Sequence, residues 1–168
     1  MAKRRESGEG GDASRYFVID GRKWRRTDPT IPPRLRRELV RELMAARRAV
    51  RSAADPAALG DARQRVQDAK LALGERGRAW WLPPRIADRR CRIDAAIRVL
   101  LRSRQAGATA CPSEPARIVG GINWRAQLDA VRSRAATLAR RGELVVSKGG
   151  RPVSPNSTGV LRYGLRKR

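Results

Sequence analysis

The sequence predicts a mainly α-helical protein of the α+β class, and three observations lead to that prediction. Apolar residues recur at helical spacing along several long stretches, which is the pattern of amphipathic helices on a shared core. Short β-branched runs near both ends have the length and composition of hairpin strands. From Cys111 to Leu165 the predicted order is helix, glycine turn, helix and two-stranded ribbon, which is the order of a winged helix-turn-helix.

The N-terminal region is predicted to begin with a β-hairpin. Residues 1–15 are charged and glycine-rich, so we expect them to form a disordered basic tail. Asp20-Gly21 separates two short runs, residues 16–19 and 22–26, and this dipeptide favours a two-residue hairpin turn. Two strands alone are marginal in water, so the hairpin has to pack on another element.

Two helices are expected next and should pair as an antiparallel αα-hairpin. The first covers residues 34–54, and Asp55-Pro56 supplies a cap and a first helical residue for the second. Their apolar stripes are Leu35, Leu39, Leu43, Ala46 and Val50, then Leu59, Ala62, Val66, Ala69 and Leu73. These stripes are thin, so we expect further apolar cover from the hairpin, or a homodimer formed through these helices. The hairpin residues expected in that core are Tyr16, Phe17, Val18, Ile19 and Trp24.

A proline-rich linker, residues 80–85, should separate this first region, residues 16–79, from a second domain at residues 86–168. The linker contains Trp80 and Trp81 followed by two prolines, which disfavour helix in the residues before them. The two tryptophans either pack at the domain interface or offer a stacking surface for bases, and packing is the commoner use of such a pair.

The second domain starts with a predicted helix over residues 86–104. Its buried face should consist of Ile93, Ile97, Leu100 and Leu101. A short helix follows, with Pro112 at its first position and Glu114 in its first turn, where the helix dipole favours an anion. Gly120-Gly121 should end that helix.

The last predicted helix has the clearest periodic pattern in the chain. Asn123 should cap it, because its side-chain oxygen can accept an N–H group of the first turn. The inner seam is expected to be Trp124, Leu128, Val131, Ala135 and Leu138, and the outer face Arg125, Asp129, Arg132, Ser133, Ala136 and Arg140. After Gly142, residues 143–147 and 160–165 are predicted as paired strands, with a basic glycine loop at residues 148–152.

The charge balance indicates a polyanionic partner. The chain has 39 Lys and Arg against 16 Asp and Glu, a formal net charge of +23. Such a charge repels itself unless a polyanion neutralises it, so nucleic acid is the first candidate and an acidic membrane surface the second. No apolar stretch has the ~20 residues that cross a bilayer, and the N-terminus lacks a signal-peptide core. We therefore expect a cytoplasmic protein located at the nucleoid, without a membrane partner.

The sequence favours a binding protein over an enzyme. It has no histidine, no phosphate-cradling glycine loop and no paired carboxylates at metal spacing. Cys91 and Cys111 are the only cysteines, and two thiols alone do not form a zinc site, so we expect two small buried residues. We expect no cofactor, no metal ion and no catalytic residue.

The predicted DNA-contacting residues lie on the last helix and on the predicted wing, which consists of the paired strands at residues 143–147 and 160–165 and the basic loop at residues 148–152. They are Asn123, Arg125, Arg132, Ser133, Arg140, Arg141, Lys148 and Arg151. Arg125, Arg132 and Ser133 are expected to face the major groove, where an arginine fork matches guanine. Arg140 and Arg141 should hold phosphates, and the wing-tip cations should approach the minor groove. Arginines of the αα-hairpin widen the electrostatic footprint in this hypothesis, although each is equally explained as part of a solvated helix face.

Three functions remain open from the sequence. The first is a protein that binds double-stranded DNA, either a transcription regulator or a nucleoid-associated protein. The second is an RNA- or ribosome-binding protein, because arginine-rich helices also bind structured RNA. The third is a protein-interaction module, since a winged helix alone does not determine function.

The second half resembles a bacterial winged-helix family known as domain of unknown function number 3253. The matching elements are Ile93 to Leu101, Cys111-Pro112-Ser113-Glu114, Ala116-Arg117, Trp124-Arg125, Val131-Arg132 and Gly149 to Val153. Pro115 stands where a small apolar residue is expected, within the first helical turn, where proline costs little. The resemblance implies the winged-helix fold, but no activity and no ligand residues. The first half is similar to segments placed before this domain in actinobacterial proteins, on residues 18–24 and 73–77.

Overall fold

A computed structural model describes residues 13–166 of the chain. Within this range the fold is mixed α/β, with two antiparallel sheets. The helices are α1 (Pro33–Ser52), α2 (Pro56–Ala72), α3 (Ile86–Ser103), α4 (Ser113–Gly120) and α5 (Leu128–Arg140), with a 3₁₀ helix (Gly121–Gln127) between the last two. The strands are β1 (Tyr16–Ile19), β2 (Arg22–Arg25), β3 (Thr109–Ala110), β4 (Leu144–Lys148), β5 (Arg151–Pro152) and β6 (Arg162–Leu165). Residues 1–12 of the expected disordered tail lie outside the described residues, and residues 13–15 form a turn.

The N-terminal hairpin forms as predicted. β1 pairs antiparallel with β2, so that Tyr16 lies opposite Arg25. Asp20 and Gly21 both adopt positive φ, 49° and 74°, which is the backbone of a type I′ turn and explains the preference for this dipeptide. The position of the turn therefore follows from a purely local signal.

The hairpin does not join the main core, and in this the expectation from the sequence is wrong. All five of its apolar residues are half-buried or exposed. Basic side chains cover its aromatic rings instead, with Lys23 Nζ 4.3 Å from the ring centre of Tyr16 and Lys70 Nζ 4.9 Å from that of Trp24. Because cations occupy these ring faces, the rings are not available to pack on leucines of α1 and α2.

Trp80 and Trp81 connect the hairpin to the segment that follows α2. The indole N–H of Trp80 donates to the Arg26 carbonyl at 3.1 Å. The two tryptophan rings meet edge to face at 4.9 Å between centroids, and Tyr16 meets Trp81 in the same way at 5.4 Å. The pair therefore makes packing contacts between the two regions, which was the commoner of the two predicted uses.

The two helices α1 and α2 form the predicted antiparallel pair. α1 buries its stripe from Leu35 to Ala46, whereas Val50 near its end is only half-buried. Asp55 caps α2 as predicted, because its carboxylate accepts the Ala58 N–H at 2.8 Å. α3 packs against both helices and thereby covers their thin apolar stripes within the chain.

The central element of the fold is α3. It contacts α1, α2, α4 and α5, and its residues from Ile93 to Ile97 are all buried. All four residues of its predicted apolar face are buried as well. One buried core extends from Leu39 of α1 through α3 to Tyr163 of β6. The core is therefore continuous across residues 80–85, and a division into two domains at this point stays a prediction.

The short helix α4 begins one residue later than predicted. Pro112 precedes the helix instead of taking its first position. Glu114 lies in the first turn as expected, and its carboxylate accepts the Cys111 N–H at 2.8 Å. Gly121 follows the helix with a φ of 52°, in the left-handed region that favours glycine.

The last helix also begins later than predicted, and Asn123 does not cap it. Asn123 lies inside the 3₁₀ helix with a φ of −92° and a ψ of 24°, and the start of α5 has no side-chain cap. The 3₁₀ helix folds tightly onto α4, since a Cβ on Gly120 would lie 2.7 Å from Gln127 Cγ. This tight turn takes up the residues that the sequence pattern assigns to the first turn of α5.

The C-terminal sheet has four strands in the order β3-β6-β4-β5, all antiparallel. β6 is the predicted partner of β4, and Val146 lies opposite the buried Tyr163. Gly149 and Gly150, at φ values of 56° and 79°, form a two-residue turn between Lys148 and Arg151. The predicted basic loop is therefore largely a hairpin tip, with both cations beside the turn.

Candidate nucleic-acid interface

Acidic side chains are concentrated inside the fold, where they pair with arginines. Seven carboxylates form such ion pairs within the described residues, namely Asp28, Glu38, Glu42, Asp68, Asp94, Glu114 and Glu143. The exposed carboxylates in the same range are Asp20, Asp55, Asp61 and Asp129. The outer surface between residues 13 and 166 therefore carries many arginines and few acids.

One internal cluster of ion pairs, centred on Arg104, joins α1 and α4 to the end of α3. The Nε of Arg104 donates to Glu38 of α1 at 2.8 Å, and its Nη2 donates to Glu114 of α4 at 2.7 Å. Burial alone acts to raise the pKa of Glu114, but hydrogen bonds from Arg104 and from the Cys111 N–H outweigh burial and lower that pKa. Arg104 therefore connects α1 and α4 through these hydrogen bonds, and its guanidinium is not available to bind a nucleic acid.

α4 and the 3₁₀ helix together present a stacked group of side chains that we call the arginine–tryptophan stack: Arg117, Trp124 and Arg125. The guanidinium carbons of Arg117 and Arg125 lie 4.5 Å and 4.6 Å from the centre of the Trp124 ring. Both arginines are exposed, and Trp124 is half-buried. The ring therefore orients two cations at the surface beside the start of α5.

Arg117 is a candidate site residue that the sequence pattern did not reveal. Its link to Trp124 depends on the 3₁₀ turn, which brings the end of α4 back over the tryptophan. A uniform helix starting at Asn123, as the sequence pattern predicts, does not bring Arg117 against Trp124. The available signal was the Gly120-Gly121 pair, which indicates a sharp reversal of the chain.

Arg132 is less available than predicted. It is half-buried, and its Nη2 donates to the carbonyl of Gly159 in the loop before β6 at 3.3 Å. Its Nε is buried without a hydrogen-bond acceptor among residues 13–166. Arg132 therefore lies against the loop before β6, whereas Arg125 is exposed.

The remaining predicted contact residues are exposed on the 3₁₀ helix, on α5 and the residue after it, and on the β4–β5 hairpin. These are Asn123, Ser133, Arg140, Arg141, Lys148 and Arg151. Arg140 donates weakly to the Thr137 hydroxyl at 3.4 Å, and Lys148 pairs across the hairpin with Arg151. Asp129 is exposed on the same side of α5 as Ser133, and so an acid lies within this otherwise basic face.

The inner face of α5 differs in part from the predicted seam. Val131, Ala135 and Leu138 are buried as expected, but Leu128 is only half-buried. Ala136, predicted on the outer face, is buried. The buried face of α5 therefore includes Ala136, and it no longer includes a tryptophan in the first turn, because the helix begins at Leu128.

Two large apolar side chains flank the basic surface. Ile122, in the 3₁₀ helix, is 91% exposed, and Val160, which follows Gly159 in the loop before β6, is 77% exposed. Neither contributes to the core, and periodicity gave no reason to single them out. Exposed apolar side chains beside arginines are suited to contact a base edge, a thymine methyl group or a partner protein.

A second group of exposed arginines lies on α1. It consists of Arg37, Arg41, Arg47, Arg48 and Arg51, while Arg36 is half-buried. Arg34 at the start of this helix pairs with Glu114 of α4, so the α1 row begins close to the second half of the chain. Its position supports a wide electrostatic footprint but does not distinguish a ligand-binding row from a solvated helix face.

The cysteines and acids give no sign of a metal site. Cys91 is exposed and Cys111 is half-buried, both as free thiols, so the expectation of two buried cysteines is wrong. Among residues 13–166 no group of three or more His, Cys, Asp or Glu side chains is positioned to hold a metal ion. None of the helices described in that range combines the length and apolar character that a bilayer-crossing helix needs.

Comparison with known proteins relates the second half of the chain to a family. Residues 90–166 match a family described as a protein of unknown function (DUF3253), which confirms the relationship expected for the C-terminal half. The match includes most of α3 and everything from β3 to β6. No curated protein matches the chain.

Proposed function

We propose that the C-terminal half is a winged helix-turn-helix that binds nucleic acid, with double-stranded DNA as the preferred partner. In this proposal the protein is not an enzyme, and it acts as a transcription regulator or nucleoid-associated protein. The order of elements supports the assignment: α3, α4 and α5 are followed by the β4–β5 hairpin and by β6. α5 is the recognition helix, and the hairpin with the loop before β6 is the wing.

The observation that carries this proposal is the separation of charge in the fold. Seven acids are engaged by arginines in ion pairs, while the arginine–tryptophan stack, Arg140, Arg141 and the wing tip are exposed. A surface of this kind attracts a polyanion, because neutralising it releases counterions from the phosphate backbone.

The proposed contacts fall into two groups. Arg125 and Ser133, on the 3₁₀ helix and α5, are proposed to face base edges in the major groove. Arg140, Lys148 and Arg151 are proposed to contact phosphates, with the wing at the minor groove. Arg132 is a positioning residue in this scheme, since it donates to Gly159 of the wing loop.

Stacking on Trp124 should make the contacts of Arg117 and Arg125 more favourable. A free arginine side chain loses conformational entropy when it binds a phosphate, and the ring already restricts these two. Two preorganised cations beside the start of α5 therefore form the centre of the proposed interface.

RNA is the second candidate partner, and the arginine row of α1 favours it. That row extends over most of a 20-residue helix and lies outside the three-helix unit assigned to DNA. Arginine-rich helices also bind structured RNA through phosphates and stacking. A ribosomal or other RNA target would use this row as well as the wing.

A direct titration separates the two candidates. Labelled duplex DNA, hairpin RNA and single strands are titrated with the protein at two salt concentrations, about 50 mM and about 200 mM. We expect the tightest binding to the duplex, with affinity falling roughly a thousandfold between the two concentrations if six phosphates are contacted. Equal or tighter binding to hairpin RNA would favour the RNA alternative, and no salt-dependent binding to any of the three would reject both.

A further inference from the structure

A cleft lies between the end of α2, the segment around Trp80 and the first half of α3. It has a volume of about 110 Å³. An engineered apolar cavity of about 150 Å³ holds benzene, so this cleft takes no more than one ring, with part of the molecule beyond its exposed rim at Leu82 and Cys91, and it is smaller than drug-sized pockets. Two of its lining residues, Val119 and Gln127, belong to the elements that carry the arginine–tryptophan stack, but none of the residues proposed to contact nucleic acid lines the cleft. A ligand here therefore does not depend on that proposed function.

One wall of the cleft is apolar. It is formed by Leu71 of α2, Trp80, Leu82 and Val119 of α4. Trp80 is held in place by its hydrogen bond to the Arg26 carbonyl, so its ring is a fixed surface. A flat apolar ligand can therefore lie against the tryptophan without ordering it first.

The remaining lining of the cleft is strongly cationic. Four arginines line the cleft, Arg76, Arg78, Arg89 and Arg92, against a single acid, Asp88. Arg92 donates to Asp28 at 2.7 Å, and the other two cations with partners, Arg76 and Arg78, donate to Gln67 and to the Pro83 carbonyl. These three arginines are therefore engaged within the protein.

Arg89 is the exception among the four. Its Nε is buried and has no hydrogen-bond acceptor among residues 13–166. The Oε1 of Gln127, another lining residue, is likewise buried without a donor in that range. Buried polar atoms are nearly always paired in folded proteins, so two side chains that line one cleft and each carry an unpaired polar atom point to a ligand that supplies partners to these side chains.

We propose that this cleft binds a small carboxylate with a planar apolar body, of the one-ring aryl carboxylate class. The carboxylate accepts from Arg89, the ring lies against Trp80, and a hydroxyl or a bound water donates to Gln127. The surplus of positive charge selects an anion, while the apolar wall selects against inorganic anions and short-chain acids.

Calorimetric titration with benzoate as the probe tests the proposal on the full chain, without nucleic acid. We expect saturable binding to the wild-type protein, with acetate and the neutral analogue benzyl alcohol each binding roughly tenfold more weakly or worse, because each lacks one of the two recognised features. Arg89→Gln should reduce the benzoate affinity by a similar factor. Arg90→Gln, which changes an exposed neighbour on the same helix outside the cleft, should leave the affinity unchanged.

Cys91 locates the bound probe. Its exposed thiol lines the cleft, whereas the half-buried Cys111 does not, so the two cysteines report on different places. Benzoate should slow the alkylation of Cys91 by iodoacetamide in a saturable way and leave the rate at Cys111 unchanged. Absence of saturable benzoate binding, equal affinity in Arg89→Gln, or equal binding of acetate would each overturn the proposal.

Discussion

At the scale of single residues, arginine has two roles in this protein, and burial decides between them. Arg104 is 15% exposed and lies between two carboxylates that are 10% and 12% exposed. Arg125 stacks on a tryptophan and is open to solvent. The sequence shows 39 basic residues without distinguishing these roles, because the partner of Arg104 on α1 is 66 positions away.

Arg104→Met should strongly destabilise the fold, because it leaves the buried Glu38 without its cation and the half-buried Glu114 with Arg34 alone. We expect the free energy of unfolding in urea to fall by about 3–5 kcal/mol. Arg63→Met is the matched control, since Arg63 is exposed on α2, and it should change stability by less than about 0.5 kcal/mol. Equal effects of the two substitutions would contradict the structural role of Arg104.

Glu114 and Glu143 should make stability depend on acid pH. Hydrogen bonds from Arg98 lower the pKa of Glu143, and the pKa of Glu114 is also lowered despite its burial. A carboxyl whose pKa is lower in the folded state stabilises the fold above its unfolded pKa of about 4.3, and this contribution is lost as the pH falls through the folded pKa.

Urea unfolding midpoints measured from neutral pH down to about pH 3 test this dependence, and the midpoint should fall below about pH 4.3. Glu143→Gln removes one of these two carboxyl groups. The urea midpoint of this variant should therefore fall less steeply with decreasing pH than that of the wild type. A steeper fall in this variant would contradict the assigned direction of the pKa change.

At the scale of elements, predictions from the sequence succeeded where the signal is local and failed where it depends on tertiary contact. Asp20-Gly21 and Asp55-Pro56 mark a turn and a cap, and both are observed. Asn123 fails as a cap, because the packing of Gly120 against Gln127 forces a 3₁₀ turn. β3 and β5 were missed because each has two residues and exists only through pairing with β6 or β4.

The β4–β5 hairpin allows a charge test of the proposed wing. Lys148→Gln with Arg151→Gln should weaken duplex binding and reduce the slope of log affinity against log salt by roughly 2, one for each phosphate that is no longer neutralised. The double variant should retain the β4–β5 turn, because Gly149 and Gly150 are unchanged and the two substituted side chains are exposed.

The control for the wing is Arg63→Gln with Arg90→Gln, which removes the same charge from exposed positions on α2 and α3. This pair should lower the affinity less and change the salt slope less than the wing pair does. If the two pairs behave alike, general charge accounts for the binding and the wing has no special part in it.

At the scale of the whole molecule, the fold depends on α3 as a common core helix. The apolar patterns predict two units with thin stripes, and a homodimer through the first two helices was one way to cover them. In the structure α3 covers the stripes of both α1 and α2, which removes the physical reason for a dimer through these helices. This arrangement was not visible from the sequence, because periodicity identifies an apolar face but not the helix that covers it.

The distribution of charge was predictable only in part at this scale. The net charge of +23 indicates a polyanionic partner, and Arg140, Lys148 and Arg151 are exposed as expected, whereas Arg132 is half-buried. The engagement of seven acids in ion pairs, and the part played by Arg117, depend on contacts between residues far apart in the chain. Those contacts concentrate the positive character of the outer surface.

The most direct test of the proposed interface is to map duplex DNA onto the protein by backbone amide and indole chemical shifts in NMR. We expect saturable shifts at the Trp124 indole, along the outer face of α5 and at Lys148 to Arg151, with small changes on α2. Saturable shifts confined to α1 and α2, with Trp124 and the wing tip unaffected, would contradict the assignment of the DNA-binding surface to α5 and the wing.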